Sequence, residues 1–115
     1  MSDPSQPPQL DAPDAARLVA GGALLLDVRE PDEWQAGHAP GAVHIPLGEL
    51  GARAGELPRD TRIVAVCRSG QRSNRAAAAL RQSGLDAANL AGGMQAWAAA
   101  GLDVVTDDGG AGRVA

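Results

Sequence analysis

One stretch, Ile63-Val64-Ala65-Val66-Cys67-Arg68-Ser69-Gly70-Gln71-Arg72-Ser73, contains the only cysteine of the chain and decides how its fold is interpreted. The four residues before the cysteine are apolar and predict a strand. The alanine-rich residues 76–80 that follow predict a helix. The thiol therefore lies where a strand passes into a helix, and between them come two arginines, a glycine and two hydroxyl residues.

Strand and helix patterns alternate along the rest of the chain. Residues 23–28 are continuously apolar apart from Asp27, which is typical of a strand covered on both faces. Strands are predicted over 9–10, 23–28, 42–45, 61–66 and 88–90. Helices are predicted over 11–21, 31–37, 47–57, 73–83 and 93–101, with glycines at or near their ends. This alternation predicts an α/β fold with right-handed crossovers and a mainly parallel sheet that has helices on both faces.

Length and composition predict one folded domain. The chain has 115 residues, of which 44% are hydrophobic. There is no Phe or Tyr, so Trp34 and Trp97 are expected in the core. We predict a flexible arm over residues 1–8, a domain over 9–105 and a flexible, Gly- and Asp-rich tail over 106–115.

The charge pattern favours a small anionic ligand. The net charge is −4 and all ten basic residues are arginine, so the chain is not expected to bind nucleic acid. Four of these arginines, at positions 68, 72, 75 and 81, nevertheless follow Cys67 closely. Arg75 and Arg81 are interpreted as part of a solvated helix face, which leaves Arg68 and Arg72 beside the thiol.

Cysteine usage and hydropathy limit the class of protein. A single cysteine excludes an internal disulfide framework and a cysteine-based zinc knuckle, and no metal or cofactor is expected. It is typical of a reducing compartment, so we predict a cytoplasmic location. Residues 1–10 lack a basic residue, so they are not expected to form a secretory signal. The longest uncharged apolar stretch, 18–26, is far shorter than the roughly 20 residues that cross a membrane, so no membrane partner is expected.

The turn after Cys67 has the features that activate a thiol. A thiolate is the reactive form, and cations or a helix N-terminus lower the pKa of a cysteine. Here the first amides of the following helix can converge on one point, and Gly70 permits the positive φ that such a nest needs. Arg68 and Arg72 add positive charge. The competing interpretation is a buried structural cysteine, the common fate of a lone one.

The spacing of the turn separates two chemistries. Cysteine phosphatases use Cys-x5-Arg, whereas only four residues separate Cys67 from Arg72 and the next position is Ser73. A ring of amides one residue shorter should suit a single sulfur atom better than a tetrahedral phosphate.

Several segments, in this order along the chain, resemble the motifs of a single-domain rhodanese. They are Leu26-Asp27-Val28-Arg29-Glu30, Glu33-Trp34, Gly37-His38-Ala39-Pro40-Gly41-Ala42, Ile45-Pro46, Cys67-Arg68-Ser69-Gly70-Gln71-Arg72-Ser73 and Leu90-Ala91-Gly92-Gly93-Met94-Gln95-Ala96-Trp97. The resemblance covers residues 9–105. It implies the rhodanese-like three-layer fold, with a mostly parallel five-stranded sheet and helices on both faces.

The resemblance also implies an activity and a site. It implies thiosulfate sulfurtransferase activity through a persulfide on Cys67, the match to the catalytic cysteine. The substrate-binding residues it implies are Arg68, Ser69, Gly70, Gln71, Arg72 and Ser73. The expected partners are a small anionic sulfur donor and an acceptor, either cyanide or a thiol, which can belong to a partner protein. Two alternatives stay open, namely a relay or sensor module that docks on a partner, and a cysteine phosphatase or arsenate reductase of the same fold.

Other polar residues are given structural roles. Asp27 ends a buried strand and should pair with an arginine such as Arg29 or Arg75. His38 is expected to fix a turn and His44 to end a strand. The acidic residues at positions 30, 32 and 33 are interpreted as stabilising a helix N-terminus.

Overall fold

The structure is a computed structural model, and it describes residues 6–115. The strands are β1 Gln9–Leu10, β2 Leu24–Asp27, β3 Val43–His44, β4 Ile63–Val66 and β5 Ala87–Leu90. The helices are α1 Ala12–Ala20, α2 Pro31–Ala36, α3 Leu47–Arg53, α4 Gln71–Gln82 and α5 Gly93–Ala99, and a 3-10 turn spans Ala54–Glu56. The predicted order of elements is confirmed.

The strands form one five-stranded sheet in the order β1-β5-β4-β2-β3, and its pairs are parallel. Strand β4 lies in the middle, with Val66 opposite Asp27 of β2. All four residues of β4 and of β5 are buried, which explains why these strands are continuously apolar or carry small side chains. The central strand β4 is therefore buried along its whole length, and Cys67 directly follows its last residue.

Helices cover both faces of the sheet, which confirms the predicted three layers. On one face α3 and α4 pack on Leu26, Ile63 and Ala65 through side chains that include Leu50 and Leu80. On the other face α1 and α5 pack on alternate strand residues through Ala15, Met94 and Trp97. Buried alanines at many contacts let the layers approach closely, so a core without Phe or Tyr is still filled.

Trp34 is not in the core, so that prediction was wrong for this residue, whereas Trp97 is buried as predicted. The half-buried Trp34 ring stacks on His38 at 3.6 Å between centroids and lies 4.8 Å from the ring of His44. His38 Nδ1 is 2.8 Å from the Trp34 carbonyl oxygen, and His44 Nε2 is 2.7 Å from that of Arg29. Both histidines therefore have the structural roles expected for them.

Asp27 pairs with Arg29, which is one of the two arginines expected as its partner. Both side chains are fully buried and the pair closes at 2.7 Å between Nη2 and Oδ2. Arg29 also donates to the carbonyl oxygen of Gly37, 2.8 Å away. The pair joins the end of β2 to the turn after α2, on the side of the sheet where β4 ends.

The two ends of the chain were predicted as flexible. Residues 1–5 of the predicted arm lie outside the described residues, and Pro7 is buried against the domain. The predicted tail folds back, since the amide of Gly112 donates to the Val104 carbonyl and that of Arg113 to the Ala36 carbonyl. The flexibility of these segments, and the division of the chain at residues 8 and 105, stay predictions. Within residues 6–115, no helix is both long and apolar enough to cross a membrane.

Candidate active site

The candidate site is the loop between β4 and α4, at the carboxyl end of the central strand. Ligands in open parallel sheets bind beyond these strand ends. Gly70 has a φ of 106°, a left-handed conformation that lets the loop turn sharply into α4. As a result α4 begins at Gln71, two residues before the predicted start, and its N-terminus faces the cysteine.

Hydrogen-bond donors converge on the sulfur of Cys67. The Gly70 amide lies 3.1 Å from Sγ and the Ser73 hydroxyl oxygen 3.3 Å from it. Burial by itself raises the pKa of the thiol, but hydrogen bonds from the Ser73 hydroxyl and from the amides of Ser73, Gly70 and Ser69 outweigh it. The net result is a pKa below the usual value for a cysteine. The loop therefore favours a negative charge on the sulfur.

Helix α5 holds the other side of this loop. The Met94 amide donates to the Cys67 carbonyl at 2.7 Å, and the Gln95 amide donates to that of Arg68 at 3.1 Å. Gly93 has a φ of 60°, and a Cβ there would collide with these same two carbonyl oxygens. With its carbonyls turned toward α5, the loop is free to turn amides toward the sulfur.

Arg72 is bound to Glu33 of α2. Its Nη1 and Nη2 lie 2.7 and 2.9 Å from the two carboxylate oxygens, a bidentate pair. The hydrogen bonds from Arg72 lower the pKa of Glu33 to about 2, and the carboxylate in turn raises the pKa of Arg72. The positive charge predicted for the anion site is therefore largely compensated, and the pair also ties α2 to α4.

The other predicted site residues lie at the surface. Arg68, Ser69 and Gln71 are exposed, and Arg68 Nε donates to the Ala115 oxygen at 3.0 Å. Cys67, Gly70 and Ser73 are thus the predicted residues that meet at the sulfur, whereas Arg72 turns to Glu33. Among residues 6–115 no group of three metal-ligating acidic, histidine or cysteine side chains comes together.

Three residues that support the site were not identified from the sequence. Glu33 was assigned only to its own helix terminus, although its place in a Glu-Trp motif was noted. Gly93 was interpreted as a helix start and not as a point of close approach. Asn89 received no role, yet it is buried in β5 and bonded to Ser73. An amide in an otherwise small and apolar strand was the signal that could have identified it.

Comparison with known protein families identifies the family of this chain. The model of the family described as "Rhodanese-like domain" matches residues 11–100. The chain belongs to the rhodanese-like domain family. The resemblance based on its motifs is therefore confirmed, and so is the fold class.

Known relatives agree with this assignment. A sulfurtransferase from Allochromatium vinosum is 42% identical over 87 residues, which cover 75% of this chain and 81% of that protein. A rhodanese-related protein from Thermoplasma volcanium has 33% identity and a TM-score of 0.83, over 87% of this chain and 99% of that one. A thiosulfate sulfurtransferase from Pseudomonas aeruginosa has 29% identity and a TM-score of 0.79, over 95% of this chain but only 22% of that one.

Other relatives are longer than the matched domain. The chain spans 40% of the length of a Bacillus subtilis relative that is 45% identical over 74 residues, or 64% of this chain. The name of that relative describes it as a candidate sulfur carrier protein. The family and these relatives support sulfur transfer as the general function.

Proposed function

We propose that this rhodanese-like domain is a thiosulfate sulfurtransferase that carries sulfur as a persulfide on Cys67. The observation that supports this most directly is the convergence of the Gly70 amide and the Ser73 hydroxyl on Sγ, at the N-terminus of α4. Such donors favour a thiolate for attack, and the same donors can hold a terminal sulfur with negative charge.

The first half of the reaction loads the cysteine. The Cys67 thiolate attacks the outer sulfur of thiosulfate, a new S–S bond forms to Sγ, and the bond to the sulfonate sulfur breaks. Sulfite leaves with the electron pair of that bond, so no external oxidant or reductant is needed. The anionic donor is attracted by the exposed guanidinium of Arg68 and by the loop amides.

The second half returns the cysteine to its starting state. Cyanide or a thiolate attacks the outer sulfur of the persulfide, the bond to Sγ breaks, and Sγ leaves as the thiolate. Because the sequence holds no second cysteine, the chain cannot resolve the persulfide by itself. The acceptor is therefore cyanide, a small thiol or a protein thiol that lies outside these 115 residues.

Intact mass spectrometry after incubation with thiosulfate tests this proposal. We expect a gain of one sulfur atom, located on Cys67 and removed by cyanide or by an added thiol. The matched variant Cys67→Ser should keep the fold, judged by circular dichroism, and take up no sulfur. Sulfur uptake by that variant, or no uptake by the wild type, would contradict the assignment.

A relay module that docks on a partner is the second candidate, and the sulfur-carrier name of the Bacillus subtilis relative favours it. Both candidates form the persulfide, but they differ in turnover. A catalyst releases many equivalents of thiocyanate from thiosulfate and cyanide, whereas a relay that only its partner protein can load releases no more than the one equivalent of sulfur that it already carries per chain. Measuring product per chain over time separates the two.

A further inference from the structure

A buried hydroxyl beside the cysteine is shared between two acceptors. Ser73 Oγ lies 2.6 Å from Asn89 Oδ1 and 3.3 Å from Cys67 Sγ. Ser73 is fully buried and Asn89 is 2% exposed, so bulk water does not reach the hydroxyl. A hydroxyl group has one proton to donate. It can satisfy the amide oxygen or a thiolate, but not both at once.

The contacts of Asn89 determine which end of its amide faces Ser73. Its Nδ2 donates to Gly70 O at 3.1 Å and to Gln9 Oε1 at 2.8 Å. Gly70 O can only accept, so turning the amide over would place two oxygens against each other. The side chain of Gln9 is fixed in the same way, because its Nε2 donates to Pro7 O at 3.1 Å. Asn89 therefore presents an oxygen to Ser73.

We propose that Asn89 is a positioning residue that sets the direction of the Ser73 hydroxyl proton. The proton points to Asn89 when the cysteine sulfur is neutral and turns to the sulfur when it is anionic. In the thiol form, the S–H group donates to Ser73 Oγ, and Ser73 donates to Asn89. In the thiolate form, Ser73 donates to the sulfur and the buried oxygen of Asn89 loses its donor, which is unfavourable.

The Ser73 hydroxyl proton would then point in two directions during the reaction cycle, which rests on the proposed function. When thiosulfate loads the cysteine, negative charge leaves Sγ and the proton turns back to Asn89. When the acceptor removes the outer sulfur, charge returns to Sγ and the proton turns to it. Asn89 thus opposes the thiolate slightly and accepts the proton whenever the sulfur carries a neutral S–S bond.

Charged groups around the cysteine are each engaged with a partner. From α4 comes Arg72, held by Glu33 of α2. From the end of β2 comes Asp27, which lies beside Val66 in the sheet and is held by Arg29. The exposed Arg68 of the loop donates to the Ala115 oxygen. None of these groups is altered by a change at Ser73 or Asn89, so they contribute equally to every variant below.

A double-mutant cycle on the thiolate pKa tests the proposal. Cys67 is the only cysteine and the sequence has no tyrosine, so an ultraviolet titration of the thiolate reports on Cys67 alone. Asn89→Leu removes the competing oxygen, and we expect it to lower the pKa of Cys67 by about half a unit to one unit. In the Ser73→Ala background, where no hydroxyl is present, the same change should cause no lowering.

Two further variants separate this role from a structural one. Gln9→Ala leaves the Ser73 and Gly70 contacts of Asn89 in place, so it should not shift the titration. Asn89→Ala repeats the cycle with a smaller side chain if Asn89→Leu does not fold, and circular dichroism checks the fold of each variant. Three results would overturn the proposal. Asn89→Leu could shift the pKa of Cys67 equally with and without the Ser73 hydroxyl, or raise the pKa when Ser73 is present. Gln9→Ala could shift the pKa by as much as Asn89→Leu does.

The titration needs no sulfur donor. If thiosulfate fails to load the wild type, the proposed function fails, whereas the role of Asn89 is still decided by the cycle. If loading succeeds and the two backgrounds respond equally, the role of Asn89 fails and the proposed function stands.

Discussion

Replacing Glu33 with glutamine keeps the shape of the side chain but removes the charge that pairs with Arg72. The bidentate pair joins α2 to α4, and the carboxylate is 15% exposed while the guanidinium is 34% exposed. We expect Glu33→Gln to destabilise the domain at neutral pH, because Arg72 then loses its charged partner and the link between α2 and α4 is weakened.

The size of the effect follows from the pKa of Glu33. Its fall from 4.5 to about 2 corresponds to a preference of at most about 3.5 kcal/mol for the charged carboxylate in the folded state, at about 1.4 kcal/mol for each pKa unit. Arg72 is a third exposed, so solvent screening reduces this value. We therefore expect Glu33→Gln to lower the free energy of unfolding by about 1–2 kcal/mol at pH 7.

The stabilisation by Glu33 should depend on pH in one direction. The pKa of Glu33 is depressed in the folded state, so its stabilising contribution is complete above the unfolded pKa, near 4.5. It is lost as the pH falls toward about 2, where the folded carboxylate is protonated. Urea unfolding of wild type and variant, measured at intervals from pH 7 downward, should show the stability difference shrinking below pH 4.5.

Asp32→Asn is the matched control, since Asp32 is exposed in the same first turn of α2 and, within residues 6–115, forms no ion pair. It should cost only about 0.3–1 kcal/mol, the range expected for an exposed charge near a helix N-terminus. A Glu33→Gln effect no larger than that of the control, or one that stays constant from pH 7 to pH 3, would refute the role given to the pair.

Three further predictions concern the surroundings of the cysteine. Gly93→Ala should abolish sulfur loading and destabilise the domain far more than the control Gly41→Ala. Gly41 has a similar positive φ of 77° but no neighbour within 4 Å, so its replacement should cost about 1–2 kcal/mol in urea unfolding. Similar costs for the two variants would rule out the close approach at Gly93. Arg29→Met leaves Asp27 buried and unpaired, so we expect a loss of about 3–5 kcal/mol in the same assay, largely recovered when Asp27→Leu is added; no recovery would contradict this. Alkylation of Cys67 should accelerate as the pH rises, with a midpoint below that of an ordinary thiol, and the midpoint should rise to about 8.5 in urea; equal midpoints would show that the loop does not favour the thiolate.

The sequence predicted the layers because hydrophobic runs and glycine stops are local signals. The apolar residues 63–66 and the Gly21-Gly22 pair marked a strand and a helix end without any knowledge of the neighbours. The position of Cys67 at a strand end followed from the same pattern. The predicted start of α4 is two residues late because the helix begins directly after Gly70, whose positive φ was expected to shape the loop and not to start the helix.

Contacts between distant segments were the part that could not be predicted. Arg72 was expected to face an anion, but its partner Glu33 lies 39 positions away in the chain, so only the fold brings the two together. Trp34 was placed in the core from its size and apolarity, whereas stacking on two histidines is its actual environment. Asn89 lies 16 positions from Ser73, and an isolated amide does not indicate which hydroxyl it meets.

The dependence of the cysteine loop on α5 has a consequence for the newborn chain. The ribosome makes Cys67 well before Met94 and Gln95, whose amides hold the loop carbonyls. Strand β1, the first to be made, also waits for β5 before it gains a neighbour in the sheet. A growing chain therefore displays an ordinary thiol from the time Cys67 emerges until α5 has followed it. The loop reaches the arrangement that favours a thiolate only once α5 has emerged and its amides hold the loop carbonyls.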